Sequence, residues 1–315
     1  MPLNSVISLF RTLPNNTKIR HRVYSHFWQW ISGILSITLV TAIWGYSNLV
    51  IRQGEAAISP SVLLWMRFGV AGIVMLPAVF RIRLSLQNWF LGLGTGALLG
   101  ISVLAMGWSM MTISVDEVAF IAALYVVFTP LGMSLIQKKI PSKLVWAAVG
   151  LSLIGLTLLI GKLTFNLHIG VLWALIAAIG ISGQIIGTTS LSNIVSSVQL
   201  SGLQSVGAGI TMTFAVVIQG VFRPSIYDGI FHWTLTEWLW IGYLAIFATV
   251  IAVFLQAWGQ ARISATEAAL AFNMEPVWTA VFALVVLSQG MTVVQVIGAV
   301  LIVSSLTLVK VPKRQ

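Results

Sequence analysis

The chain has 315 residues, of which 58% are hydrophobic and only 8% charged, and its mean hydropathy is +0.99. Soluble domains carry about 25% charged residues, so a water-soluble fold is excluded and a lipid-facing one is implied. Cysteine is absent, which rules out disulfides and thiolate chemistry, and the net charge of +10 sits in short runs beside apolar stretches, leaving no soluble region to bind nucleic acid.

Taken in chain order, residues 1–28 open on a polar, basic stretch with Arg11, Lys18, Arg20, His21 and Arg22. A secretory signal needs an apolar stretch and then a small-residue cleavage site. A full-length apolar span follows instead, so residues 1–28 read as a cytoplasmic leader. Crossing about 30 Å of hydrocarbon takes about 20 helical residues. Ten segments qualify: 31–51, 60–80, 88–111, 115–137, 143–161, 168–188, 199–222, 236–259, 264–287 and 291–309. They are too long for barrel strands and lack the alternation of a barrel, whereas helices satisfy their own backbone groups in lipid. The expected fold class is an all-α integral membrane protein with ten transmembrane helices.

Lys and Arg placement orients the spans. With an inside N-terminus, the inside segments hold Arg11, Lys18, Arg20, Arg22, Arg81, Arg83, Lys138, Lys139, Lys143, Arg262, Lys310, Lys313 and Arg314. The outside segments hold only Arg52, Lys162 and Arg223. The chain is therefore expected in the cell membrane as a multi-pass protein with both termini cytoplasmic.

The two halves also repeat. Trp108, Ile113, Ser114, Glu117 and Ala119 recur as Trp258, Ile263, Ser264, Glu267 and Ala269, each at an offset of 150 (258 − 108). Pro130 and Pro276 match at 146 (276 − 130), a slip of about one helical turn. On that alignment Thr129 stands opposite Glu275. Five spans per half is an odd number, so the second half enters the membrane upside down. Two inverted five-helix repeats follow, 29–161 and 162–310, with a tail at 311–315. Duplicated, interrupted apolar segments of this kind mark transporter folds with midplane binding sites.

Several stretches carry a family likeness. They are Trp44-Gly45, Pro60 and Arg67-Phe68; Ala122 to Val127 before Pro130; then Thr249 to Gln256, Ser264-Ala265-Thr266, Glu275-Pro276-Val277 and Gly298. In order and spacing, over roughly residues 31–310, they resemble the ten-helix drug/metabolite transporter superfamily, specifically its EamA family. The resemblance implies a secondary carrier, usually an exporter of amino acids or other small metabolites. One departure is Ser288-Gln289-Gly290, where many relatives place a glutamate; no role for that acid carries over.

Within the spans, Glu275 is the sole deep carboxylate and Arg67 the sole deep cation. An isolated charge at a helix centre costs ~2.5–3.5 kcal/mol on insertion scales, so each needs a partner or a wet cavity. They can pair with one another. Alternatively, Glu275 serves as a proton-coupling site or anchors the ninth helix by hydrogen bonds, and Arg67 is structural or binds an anionic group. The prolines Pro130 and Pro276 are expected to break their helices and free the carbonyls of Val126 and Phe272.

Asn48, Gln184, Gln204, Gln256 and Asn273 are amides that either line a site or glue helices together. Trp44, Trp108, Tyr125, Trp258 and Trp278 are candidate cavity-wall aromatics. Trp28, Trp30, Trp89, Trp233, Trp238 and Trp240 fall at span ends as interfacial anchors. Gly92, Gly96 and Gly100 on span three permit close helix approach.

Rival functions lack motifs. His21, His26, His168 and His232 are scattered and form no metal set, Asp116 and Asp228 lie at or beyond the outer surface, and no phosphate loop is present. An intramembrane enzyme and a translocase of lipid-linked substrates remain the alternatives. No cofactor or metal is expected; the partners are a small-molecule substrate and the lipid bilayer, with a coupling proton or other ion and a homodimer left open.

Overall fold

The computed structural model describes residues 17–54, 58–80, 84–161, 168–228 and 232–309, with side chains from Phe27 onward. The leader before Thr17, Arg81, Arg83, Lys162 and the tail from Lys310 lie outside the described residues, as do the side chains of Lys18, Arg20, His21, Arg22 and His26.

Nine helical segments are long and apolar enough to cross a membrane among the described residues: Phe27–Gly54, Pro60–Phe80, Leu86–Met110, Val115–Gln137, Lys143–Ile160, Ile169–Leu191, Ser197–Phe222, Leu235–Gln260 and Ala265–Leu287. A shorter tenth, Val293–Leu308, is equally apolar. These are spans one to ten, and the protein is an all-helical membrane protein. The first helix begins at Thr17, well before its apolar part. Small polar residues start many of the others. Ser85, Ser114, Ser142, Ser196, Ser264 and Thr292 each accept the backbone N–H three residues on, which satisfies a donor that a helix start leaves orphaned.

The packing has an internal symmetry. Span two packs along span seven and span five along span ten. Exchanging each span with the one five places on returns both pairs to themselves. The same exchange turns three-on-six into eight-on-one, four-on-six into nine-on-one, and three-on-seven into eight-on-two, all of which are present.

Spans four and nine are both split. Span four is Val115–Ala122 followed by Tyr125–Gln137, and span nine is Ala265–Phe272 followed by Glu275–Leu287. Every boundary is 150 apart (265 − 115, 272 − 122, 275 − 125, 287 − 137). Both first halves open on a serine–glutamate capping box, and both second halves end in a left-handed residue, Lys138 and Ser288.

This register corrects the expected alignment of the prolines. Pro130 lies inside the continuous helix Tyr125–Gln137, while Pro276 sits at the start of Glu275–Leu287. In span four the break is made by tight turns, Leu124 N–H to Ile121 O and Val126 N–H to Ala123 O, without proline. The counterpart of Glu275 is Tyr125, and Thr129 corresponds to Thr279.

Span eight is interrupted differently. Leu235–Ala245 and Ala252–Gln260 flank a π-helical segment, Ile246–Ile251. Such wide turns expose carbonyls that an α-helix would keep.

The glycines of span three meet span seven as expected. A Cβ on Gly96 would overlap the backbone carbonyl of Gln204, whereas one on Gly94 would meet nothing. Gly96→Ala is expected to destabilise by about 1–3 kcal/mol, the usual range for overpacking. Gly94→Ala is expected to be neutral or mildly stabilising. Thermal unfolding of the detergent-solubilised pair reads the difference.

Candidate functional site

The residues around the span-nine break form a polar cluster with span one. Glu275 is the first residue of the second half-helix, where the N-terminal dipole favours negative charge. Asn48 Nδ2 donates to Glu275 Oε1 at 3.1 Å and to Thr279 Oγ1 at 3.2 Å. Thr279, one turn on from Glu275, donates to the Glu275 carbonyl at 3.1 Å. The two helices come this close because Gly45 packs on Trp278 and Thr279. Asn48 is exposed, and Glu275 and Thr279 are partly exposed. The carboxylate of Glu275 is thus bonded by one amide side chain among the described residues and remains partly exposed.

Aromatic rings pack on one another along the same helices. Trp44, one turn before Asn48 and on the same helix face, stacks on Phe272 with centroids 5.6 Å apart. Tyr46 meets Tyr243 and Phe282 edge-on, and Trp278 stacks on Phe282. Tyr125 and Arg67 both lie within electrostatic range of Glu275.

Arg67 and Glu275 do not pair directly. Among the described residues, Arg67 Nε donates to Thr249 Oγ1 at 2.9 Å and Nη2 to the Ala248 carbonyl at 3.0 Å. Trp44 Nε1 donates to the same carbonyl at 2.9 Å. The π-segment therefore acts as an acceptor platform joining spans one, two and eight. Arg67 Nη1 has no hydrogen bond among the described residues.

Four expected residues belong elsewhere. Gln256 is buried toward the end of span eight, bonded to Gln184 Oε1 at 3.0 Å and Gln260 Oε1 at 3.1 Å. Asn273 donates to Ser152 Oγ at 2.9 Å and so faces span five. Trp258 stacks under the Arg262 guanidinium, 3.4 Å from its ring, near the end of span eight. Trp108 is exposed and pairs with Trp173. Helix position explains the last two, which lie within a turn of a span end and not at midspan. Conversely, Trp30, read as an interfacial anchor, donates to the buried carboxylate of Glu267 at 2.7 Å.

Thr249, Ala248 and Thr279 are the parts that side-chain chemistry alone did not single out as site residues. Thr279 had a signal, since it follows Glu275 at the i+4 spacing of helix neighbours. The π-segment had none, because Ile246–Ile251 reads as an ordinary apolar helix.

The fold and cluster together define a helical membrane protein with a polar site between its two halves. Comparison with known proteins gives the class. The model of the EamA-like transporter family matches residues 31–161 and, a second time, 168–311. The chain belongs to the EamA-like transporter family and is a membrane transporter. It is 28% identical over 280 residues to an "Uncharacterized transporter" of Archaeoglobus fulgidus, covering 87% of this chain and 84% of that one. It is also 28% identical over 221 residues to "Uncharacterized inner membrane transporter YedA" of Escherichia coli, covering 67% and 68%. A crystal structure at 18% identity shares the fold, with a TM-score of 0.72 over 88% of this chain and 96% of that one.

Proposed function

We propose that this transporter is a secondary carrier of a small metabolite such as an amino acid or a related compound, exporting it by alternating access around the Glu275 cluster. The observation that carries the reading is the pair of deep opposite charges held apart. Glu275 is braced by Asn48, Arg67 is braced by the π-segment, and each is within the other's field. A zwitterion placed between them would give its ammonium to Glu275 and its carboxylate to the free Nη1 of Arg67, satisfying both charges in lipid. Glu275 also suits a coupling proton, which would compete with the ammonium for the same oxygen.

The two halves, about 29–161 and 162–310, rock about the packing axis of spans two with seven and five with ten, and the N-terminal face is cytoplasmic. Transport is favoured over an intramembrane enzyme because the relatives are named as transporters.

Counterflow in proteoliposomes tests this. Vesicles loaded with one member of a panel of amino acids and related metabolites are expected to accumulate its labelled form saturably. Absence of saturable counterflow across the panel, or catalytic turnover without flux, would overturn the reading.

A further inference from the structure

Let the near face be the end where span one begins and the far face the end where it finishes. The pairing of spans is symmetric, but the two ends are not. At the near face the last part of span eight, Ala252–Gln260, packs on spans six and seven, and the first part of span nine packs on span six. The symmetry images of these contacts would be span three on spans one and two, and span four on span one, at the far face. Among the described residues there is no comparable packing there. Asn48, on the far half of span one, is correspondingly exposed. Among the described residues the near face is the more closely packed of the two.

The near-face closure is made by amides. Gln256 Nε2 bridges Gln184 Oε1 and Gln260 Oε1. Gln260 Nε2 donates to the Ile185 carbonyl at 3.0 Å and Thr189 Oγ1 at 2.9 Å. Gln204 ties in through Thr188 and Thr95. Beneath them Leu191, Val195, Leu200 and Ala257 form a buried apolar plug.

The joint between Gln204 and Thr95 is an image of the Arg67 joint. Arg67 and Gln204 each lie seven residues into their span (67 − 60, 204 − 197). Gly72 meets Ser205 as Gly209 meets Phe68, all at an offset of 137 (209 − 72, 205 − 68, 204 − 67). The bridge from Gln184 to Gln256 and Gln260 has no such image. What one end has and the other lacks is the part that a conformational exchange must break.

We infer that Gln256 and Gln260 are a near-face latch, holding the end of span eight shut against Gln184, Ile185 and Thr189 of span six. The π-segment is its hinge, fixed by Trp44 and Arg67 on Ala248, while Ala252–Gln260 swings below it. Among the described residues Gln256 Oε1 and Gln204 Oε1 are buried without a hydrogen-bond partner, so the closed latch is incompletely satisfied. Opening hydrates those oxygens, which keeps the closed state from becoming a trap. This inference rests on the alternating-access reading, but its first test does not require flux.

The chain has no cysteine, so Ala257→Cys, fully buried in the plug, is a clean reporter. A membrane-impermeant maleimide supplied at the near face is expected to label it at least about fivefold faster when Gln260→Met or Gln256→Met is added, since each removes two or more latch hydrogen bonds and one net hydrogen bond alone is worth about that factor. In a separate measurement, Thr189→Cys with Gln260→Cys is oxidised across the latch. Crosslinking is expected to abolish counterflow, and reduction to restore it. Unchanged labelling in both methionine variants overturns the latch, as does full counterflow through the crosslinked protein. If the wild type shows no counterflow, the carrier reading falls while the labelling result still decides the latch.

Discussion

Glu275→Gln is expected to leave the protein folded and inserted while lowering transport by about tenfold to a hundredfold. The amide keeps the shape of the carboxylate, and its oxygen can still accept from Asn48 Nδ2, which lies 3.1 Å from Glu275 Oε1. What disappears is the negative charge and with it a charge-assisted hydrogen bond to a cationic group, worth about 1.5–3 kcal/mol. If the same oxygen also takes the coupling proton, the pH dependence of transport should flatten in the variant. Counterflow across a pH series, beside a thermal melt of the same preparation, checks both. An unchanged rate and pH profile would remove Glu275 from the transport chemistry.

The brace of Glu275 is harder to remove cleanly, because Asn48 serves two acceptors at once. Asn48→Leu takes away the amide that bonds both Glu275 and Thr279. It is expected to lower transport by about tenfold, on the scale of a hydrogen bond to a charged group. Asn48→Asp, which sets a second carboxylate beside Glu275, is expected to impair transport more strongly than Asn48→Leu at neutral pH. The ranking of the two variants in the counterflow assay separates an electrostatic role from a packing role.

Much of the architecture was legible in the sequence because lipid leaves few options. The apolar runs give 60–80 against the observed Pro60–Phe80 and 143–161 against Lys143–Ile160. The helical extension back to Thr17 was missed, since its residues are polar and basic and carry no apolar run. The repeat was visible, but the prolines drew the register off by a turn. Proline is the residue a reader expects at a break, yet span four turns at Ala123 and Leu124 through backbone bonds that no side chain announces.

The same limit applies to the site. Glu275 was marked by its charge in an apolar run, and Arg67 by the same reasoning. That Asn48 meets Glu275 across 227 residues, and that Gln256 and Asn273 do not, depends on which helix face each presents. A lone amide in an apolar span carries no mark of its partner. The interruption of span eight at Ile246–Ile251 is invisible for the same reason, and it decides where Arg67 goes.

Arg67→Met should separate the binding role of that cation from its structural one. Its removal orphans little: the Ala248 carbonyl keeps the Trp44 N–H, and Thr249 Oγ1 still donates to the Leu244 carbonyl at 2.9 Å. Methionine fills comparable space without a charge to desolvate, so the burial cost of the guanidinium goes together with its two hydrogen bonds. The thermal midpoint is therefore expected to change little, while transport falls at least about tenfold through loss of the group that meets the substrate's anionic end. Arg67→Lys should behave in the reverse sense. It keeps the charge but cannot span Thr249 and Ala248 with a planar fork, so a buried ammonium is left short of acceptors and stability drops by about 1–3 kcal/mol. Melting curves and counterflow on the two variants side by side give opposite orders if Arg67 binds substrate. If Arg67→Met transports normally, the cation is only a brace for the π-segment.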